Sequence, residues 1–146
     1  MLDRSKAPEF KIPSSIEFPT PIQRTLPNGV HLYFIPTPEI DAVKLEISST
    51  INETSNSKLL VPYFALEMVT EGTLTKDAAT LDDFFDTYAS EVETESGFEN
   101  HGLSILTTKK HFDKVLPVYR ELLTEAIFPD KELTKRKKQK ALSIHI

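Results

Sequence analysis

The chain has 146 residues, of which 39% are hydrophobic and 27% are charged, a composition typical of a single globular domain with a core of its own. Its net charge of -5 argues against a nucleic-acid-binding surface, because phosphate binding needs a surplus of lysine and arginine. Cysteine is absent, which excludes disulfides, thiolate ligands and thiol catalysis. Without a signal-peptide pattern or a membrane-length apolar segment, we expect a cytoplasmic protein, or a periplasmic one if a signal peptide was removed.

The first part of the chain predicts an extended arm and then a hairpin. Residues 1–22 carry four prolines among polar residues, and proline blocks both helix continuation and strand pairing. We assign residues 23–146 to one domain. It begins with two strands separated by Leu26-Pro27-Asn28-Gly29, in which Asn-Gly favours the positive φ angles of a tight turn.

A strand and an apolar helix follow. Ala42 to Thr50 alternates apolar and polar residues, which predicts a half-buried strand in the same sheet as the hairpin. Leu60 to Thr73 is the most apolar helix-length segment, with Pro62 in its first turn and Gly72 where a C-terminal cap is expected. We expect this helix to form the centre around which the chain packs, with Tyr63 and its apolar neighbours in the core.

The second half predicts a helix, two strands and two more helices. Thr80 with Asp83 resembles a capping box, and Asp130 is placed to cap the last helix. The predicted elements are a helix after Thr80, strands Glu91–Ser96 and His101–Thr108, and helices from about His111 to Ala126 and from Asp130 to the last residue. Together they predict an α+β fold in two layers, with a mainly antiparallel sheet packed on helices. Because the last helix reaches the final residue, we expect an incomplete piece of a longer protein.

Two charged patterns allow both a simple and a functional interpretation. Glu91, Glu93 and Glu95 alternate along one strand and therefore share a face. A solvated sheet face is the common explanation, and an acidic wall that attracts basic peptides is the alternative. The basic run Lys135 to Lys140 predicts a solvated helix face, with an acidic partner as the alternative.

The order of these elements resembles the N-terminal domain of the M16 peptidases, which include insulinase, pitrilysin and mitochondrial processing peptidase. Leu26-Pro27-Asn28-Gly29-Val30 is similar to the family's L-x-N-G-[LVI] opening. Glu53 is similar to the acidic residue of the family's G-S-x-x-E turn, although Ser49-Thr50 replace its glycine and serine. The resemblance implies a fold of the LuxS/MPP-like metallohydrolase type, truncated at its C-terminal end.

The apolar helix lacks the metal-binding motif that this resemblance would place on it. In active relatives the helix carries H-x-x-E-H, whose histidines bind zinc and whose glutamate is the general base. Counting back from Gly72-Thr73, the three positions are those of Tyr63, Leu66 and Glu67, and the remaining glutamate ligand falls at Ser143. Zinc catalysis needs about three ligand side chains and a base beside the bound water. The resemblance therefore implies no catalytic residues, no metal and no cofactor.

The resemblance also implies where a peptide would bind. Active relatives carry N-A-x-T on the strand after the second helix, and Glu93-Thr94-Glu95-Ser96 stand there in this chain. Glu99 is similar to a glutamate that the family retains near the site. We take Glu93, Glu95 and Glu99 as candidate peptide-binding residues.

The function that follows is that of a non-catalytic subunit in a bacterial-style heterodimeric peptidase. Its partner would carry H-x-x-E-H and zinc, and the two subunits would enclose a chamber for a peptide. Neither nucleic acid nor a membrane is expected as a partner, and open sheet edges would allow the piece to self-associate. Two alternatives stay open: a purely structural subunit like the M16-like core proteins of respiratory complexes, and a zinc peptidase with a site rebuilt around Glu67, Glu93 and Glu99.

Overall fold

The computed structural model describes residues 15, 17–50, 60–97 and 100–144. The chain divides into two compact units, Met1–Ile40 and Asp41–Ile146. Most of the predicted arm lies outside the described residues, as do Glu53 and Glu99. The predicted domain boundary after residue 22 stays a prediction.

The first unit contains the predicted hairpin. Strands β1 (Ile22–Thr25) and β2 (His31–Phe34) pair antiparallel, and the Gly29 amide donates to the Leu26 carbonyl over 2.9 Å. Gly29 has a φ of 84°, which a residue with a Cβ adopts only with strain, so the Asn-Gly pair explains the turn. The expected pairing of this hairpin with the next strand is wrong, because β1 and β2 form a two-stranded sheet of their own. Alternation reveals which face of a strand is buried, but not which strand lies beside it.

The described residues of the second unit form a three-stranded antiparallel sheet in the order β3-β5-β4. Its strands match the predicted ones: β3 (Ala42–Thr50), β4 (Glu91–Ser96) and β5 (Asn100–Thr108). The register places Leu45, Ile105 and Val92 side by side on one face. The neighbouring row of Glu46, Ser104 and Glu93 lies on the opposite face, since side chains alternate along each strand.

In the described part of this unit, four helices pack on the sheet and confirm the predicted α+β architecture: α1 (Val61–Glu67), α2 (Ala78–Thr87), α3 (Phe112–Glu125) and α4 (Asp130–Ile144). The core lies between the apolar sheet face and helices α2 and α3. Its buried residues are Val69, Leu81, Phe85, Leu103, Ile105, Val115, Val118, Tyr119 and Leu122. Within the described ranges, no helix is both long and apolar enough to cross a membrane.

Helix α1 is shorter and more peripheral than its sequence predicts. It ends at Glu67, and Tyr63 and Phe64 are only half-buried. Met68 and Val69, which follow the helix, are the buried residues of this segment. The Val69 amide donates to the Leu66 carbonyl over 3.1 Å, so the last turn tightens and directs these two side chains inward. The centre of the core belongs to α2, α3 and β5 instead.

Gly72 is not the cap of α1. It has a φ of 140° and pairs with Asp77 in an isolated bridge. A Cβ at this position would lie 3.2 Å from both the Ile127 side chain and the Lys76 carbonyl, so the fold needs glycine here for a different reason.

The predicted starts of α2 and α4 are each displaced. Asp77 caps α2, because its carboxylate accepts from the Thr80 amide over 2.8 Å, and Thr80 itself lies inside the first turn. Asp130 is the first helical residue of α4. A carboxylate in the first turn interacts favourably with the positive end of the helix dipole, so acidic residues are common both at and just after a cap.

Candidate functional site

Helices α1 and α4 enclose a depression of about 240 Å³, which we call the α1–α4 depression. Residues at i and i+4 of a helix share a face, as do residues at i and i+7, so side chains at these spacings converge. The lining residues are Tyr63 and Glu67 from α1, and Arg136, Gln139, Lys140 and Ser143 from α4. Three of the four positions aligned with M16 zinc ligands and base thus lie together. Leu66 does not line the depression.

Arg136 joins the two sides of this depression by ion pairs. Its Nη1 donates to a Glu67 carboxylate oxygen over 3.0 Å, and its Nε donates to Glu71 Oε1 over 3.0 Å. Its Nη2 donates to the same Glu71 oxygen. The Arg136 side chain is only 28% exposed, and a half-buried guanidinium bound to two carboxylates forms stronger hydrogen bonds than neutral groups do.

Lys140 and Ser143 are also engaged with groups around the depression. The Lys140 ammonium lies 4.3 Å from the centre of the Tyr63 ring, a cation–π contact between α4 and α1. The Ser143 hydroxyl donates to the Lys140 carbonyl over 2.8 Å. The depression is therefore lined by two cations and one carboxylate.

This donor set does not fit a catalytic zinc ion. Glu67 is the one good zinc ligand among the aligned positions, and its carboxylate already binds Arg136. Leu66 supplies no general base, and Tyr63 and Ser143 are neutral oxygen donors. Among the residues that the structure describes, no three histidine, aspartate or glutamate side chains form a group able to hold a metal. The assignment of these positions to the family's ligands stays a prediction.

A second depression of about 410 Å³ lies on the sheet face that carries Glu93 and Glu95. The register brings Glu46 into the same row as Glu93, and we call the surface of Glu46, Glu93 and Glu95 the acidic sheet face. Lys44 Nζ lies 3.1 Å from Glu93, and this hydrogen bond raises the pKa of the lysine. Both side chains are about half-exposed, so this is a solvated pair in an otherwise acidic surface.

Two of the glutamates proposed for a rebuilt zinc site line different depressions. Glu67 lines the α1–α4 depression, whereas Glu93 lines the depression on the acidic sheet face. Sequence reasoning missed Arg136 and Glu71. Arg136 stands seven residues before Ser143 on α4, so helical spacing was an available signal for it, whereas Glu71 lies beyond the end of α1.

An apolar groove of about 410 Å³ also runs between α1 and α4. It differs from the α1–α4 depression because hydrocarbon side chains line it, with one cation at Lys137. The lining residues are Leu60, Val61, Phe64, Ala65, Met68, Phe128, Leu133 and Lys137.

Among the described carboxylates, Glu121 has the most strongly lowered pKa, and it lies outside both depressions. Lys76 Nζ is 2.6 Å from Glu121, and the hydroxyls of Thr73 and Thr75 donate to the same carboxylate. The Lys76 hydrogen bond is the main cause that lowers the pKa of Glu121 to about 2. This cluster ties the segment before α2 to α3.

Comparisons with known proteins agree in fold only. No family model matches the chain, and no curated protein matches it. Similar solved structures include a peptidase M16 inactive domain from Pseudomonas fluorescens (TM-score 0.73, 15% identity, 82% of this chain and 30% of that one). A protease from Helicobacter pylori has a TM-score of 0.68 and 16% identity over 84% of this chain and 30% of that one.

A third similar structure is the ferredoxin protease FusC in complex with Arabidopsis ferredoxin, with a TM-score of 0.65 and 16% identity. The match covers 93% of this chain and 17% of FusC. The chain thus spans less than a third of the length of each of the three proteins. These similarities assign the fold to the type seen in M16 domains. The activity of the chain has to be inferred from its own residues.

Proposed function

Starting from the M16-type fold of this chain, we propose that it is a catalytically inactive peptidase domain. It belongs to the non-catalytic subunit of a heterodimer whose other subunit carries H-x-x-E-H and zinc. Together the subunits enclose a peptide, and this domain supplies part of the chamber wall.

One observation carries the proposal: the described residues that line the α1–α4 depression include neither a zinc ligand set nor a base at the position aligned with the family's glutamate. Leu66 stands outside it, and Glu67 is bound to Arg136. A zinc peptidase polarises the bound water with a metal held by about three ligands and removes its proton with a nearby base. A domain that lacks the metal and the base can contribute to peptide hydrolysis only through binding, positioning or assembly.

The acidic sheet face and strand β4 support a role in peptide binding. In the described three-stranded sheet, β4 is an edge strand, and edge strands offer backbone groups that pair with an extended peptide. Glu93 and Glu95 project from this strand, and Glu95 has no cationic partner within ion-pair distance among the described residues. Uncompensated negative charge raises the local concentration of a basic peptide. FusC, one of the proteins with a similar fold, is in complex with a protein.

Affinity purification of the natural full-length protein from its own cells tests the proposal. We expect a stoichiometric complex with an H-x-x-E-H protein, in which zinc and peptide hydrolysis depend on that partner. The protein alone should have no peptidase activity and no stoichiometric zinc.

The other outcomes point to the alternatives. Stoichiometric zinc with activity in the protein alone would replace the proposal with a rebuilt catalytic site. Recovery only in a membrane complex that contains no H-x-x-E-H protein would favour a purely structural subunit.

A further inference from the structure

We infer that the Arg136 guanidinium is a built-in cation that holds α1 and α4 together and keeps a divalent metal out of the α1–α4 depression. The inference rests on the proposed function, because it uses the alignment of Tyr63, Leu66, Glu67 and Ser143 with the family's metal-site positions. It goes beyond the proposed function, because it assigns the positive charge that stands in place of the metal to a residue outside that motif.

The geometry supports a linking role for Arg136. Its planar guanidinium forms three hydrogen bonds to two carboxylates, which belong to Glu67 at the end of α1 and to Glu71 in the following turn. A metal ion links segments of chain in the same way, by drawing negatively charged oxygens from different elements onto one positive centre. The residues joined here are 65 and 69 positions apart in the sequence.

The charge in the depression explains the exclusion of metal. Arg136 and Lys140 both line it, and a divalent ion at the aligned ligand positions would lie within a few ångströms of these cations. Arg136 already binds the Glu67 carboxylate, so a divalent ion there would have to displace the guanidinium from that ligand and would also meet the positive charge of Lys140. Restoring the lost ligands should therefore restore only weakened zinc binding while Arg136 remains.

The decisive experiment restores the ligands with and without Arg136. One variant carries Tyr63→His, Leu66→Glu, Glu67→His and Ser143→Glu, and a second adds Arg136→Met. Zinc affinity is measured by competition with a chromophoric chelator, after circular dichroism has shown that both are folded. We expect zinc binding to be at least about tenfold tighter in the variant that lacks Arg136.

A matched control adds Lys135→Met to the first variant. Lys135 carries the same charge on the same helix, but it pairs with Glu132 and does not line the depression. Its replacement should leave zinc affinity within about twofold.

The outcomes separate the inference from the function on which it rests. Equal zinc affinity with and without Arg136 would overturn the inference and leave the proposed function standing. Folded variants that both fail to bind zinc would overturn the alignment of the four positions, and with it both the inference and the argument for an inactive metal site.

Single substitutions in the parent chain offer a second measurement that does not depend on a fourfold variant. Arg136→Met should lower the melting temperature by about 5 °C, whereas Lys135→Met should change it by no more than about 1 °C. Zinc and chelator should leave the melting temperature of the parent chain unchanged. Equal effects of the two substitutions would overturn the linking role of Arg136.

Discussion

The α1–α4 depression and the acidic sheet face use charged residues in opposite ways. In the depression, Arg136 is half-buried and bound to Glu67 and Glu71, so its charge is compensated within the protein. On the sheet face, Lys44 forms one half-exposed pair with Glu93, and the surrounding carboxylates leave a net negative surface. Compensated charge under partial burial stabilises a fold, whereas uncompensated charge in water is available to a ligand. The predictions that follow test this difference.

Glu71→Gln should produce the largest loss of stability. Glu71 accepts two of the three hydrogen bonds from Arg136 and is only 17% exposed, so the substitution leaves a half-buried guanidinium with weaker partners. We expect the free energy of unfolding to fall by about 2 kcal/mol, below the cost of breaking a fully buried pair. Urea denaturation followed by circular dichroism measures the change, and Glu93→Gln is the control. An equal effect of the two substitutions would remove the distinction between the regions.

Glu121 should make stability depend on pH in the acid range. Its pKa is lowered from 4.5 to about 2 by Lys76, Thr73 and Thr75, so its ionised form is stabilised in the folded state. The contribution is present above pH 4.5 and is lost as the pH falls towards 2, because the unfolded chain then binds the proton more readily.

Thermal unfolding at several pH values tests this linkage. Glu121→Gln should lower the stability at neutral pH by about 1 to 2 kcal/mol and should weaken its decline between pH 4.5 and 2. A decline as steep in the variant as in the parent chain would show that other carboxylates cause it.

Ala89→Gly should stabilise the protein slightly, and this gain can be compared with the losses of stability predicted above. Ala89 has a φ of 46° at the end of α2, and the Ser90 amide donates to the Phe85 carbonyl over 2.9 Å. This is the helix-ending arrangement in which glycine is favoured, since a Cβ is strained in the left-handed region. A gain of about 0.5 kcal/mol is expected in urea denaturation, after the greater freedom of glycine in the unfolded chain is subtracted. A loss would indicate that the Ala89 methyl group makes a necessary contact.

Combined replacement of Glu93 and Glu95 by glutamine should have the smallest effect on stability and a measurable one on binding. Both side chains are exposed, so the melting temperature should stay within error of the parent value. In the proposed heterodimer, we expect the affinity for a lysine-rich peptide to fall a few-fold at low salt, and that for a neutral peptide to stay unchanged. Fluorescence anisotropy with the two peptides measures this. Equal losses for both would attribute the effect to the backbone of β4.

Much of the secondary structure follows from local patterns. The Asn28-Gly29 turn, the strand Ala42–Thr50 and the strand Glu91–Ser96 are confirmed at their predicted places. Turn chemistry and alternation are properties of neighbouring residues, so they are readable before the chain folds. The structure places the cap of α2 at Asp77 and not at the predicted Thr80. Aspartate and threonine both favour helix starts, so only the geometry decides which of them is the cap.

The apolar segment at α1 shows where local patterns fail. Its composition predicts the centre of the core, but the helix stops at Glu67, and Phe64 instead borders an apolar groove against α4. An apolar composition predicts that a segment will be removed from water. It does not predict which neighbour covers the segment or how completely. Those depend on how α2, α3 and β5 fill the core between them.

For the candidate site, the amino-acid sequence alone determined that Tyr63, Leu66, Glu67 and Ser143 do not make a zinc site, because these residue types do not supply three good zinc ligands and a base in any conformation. Only the tertiary structure decided what stands there instead. Arg136 reaches Glu67 across 69 positions of sequence, and no periodicity links residues so far apart. The partner of a charge is chosen by the packing of α4 beside α1, and that packing is the result of the whole fold.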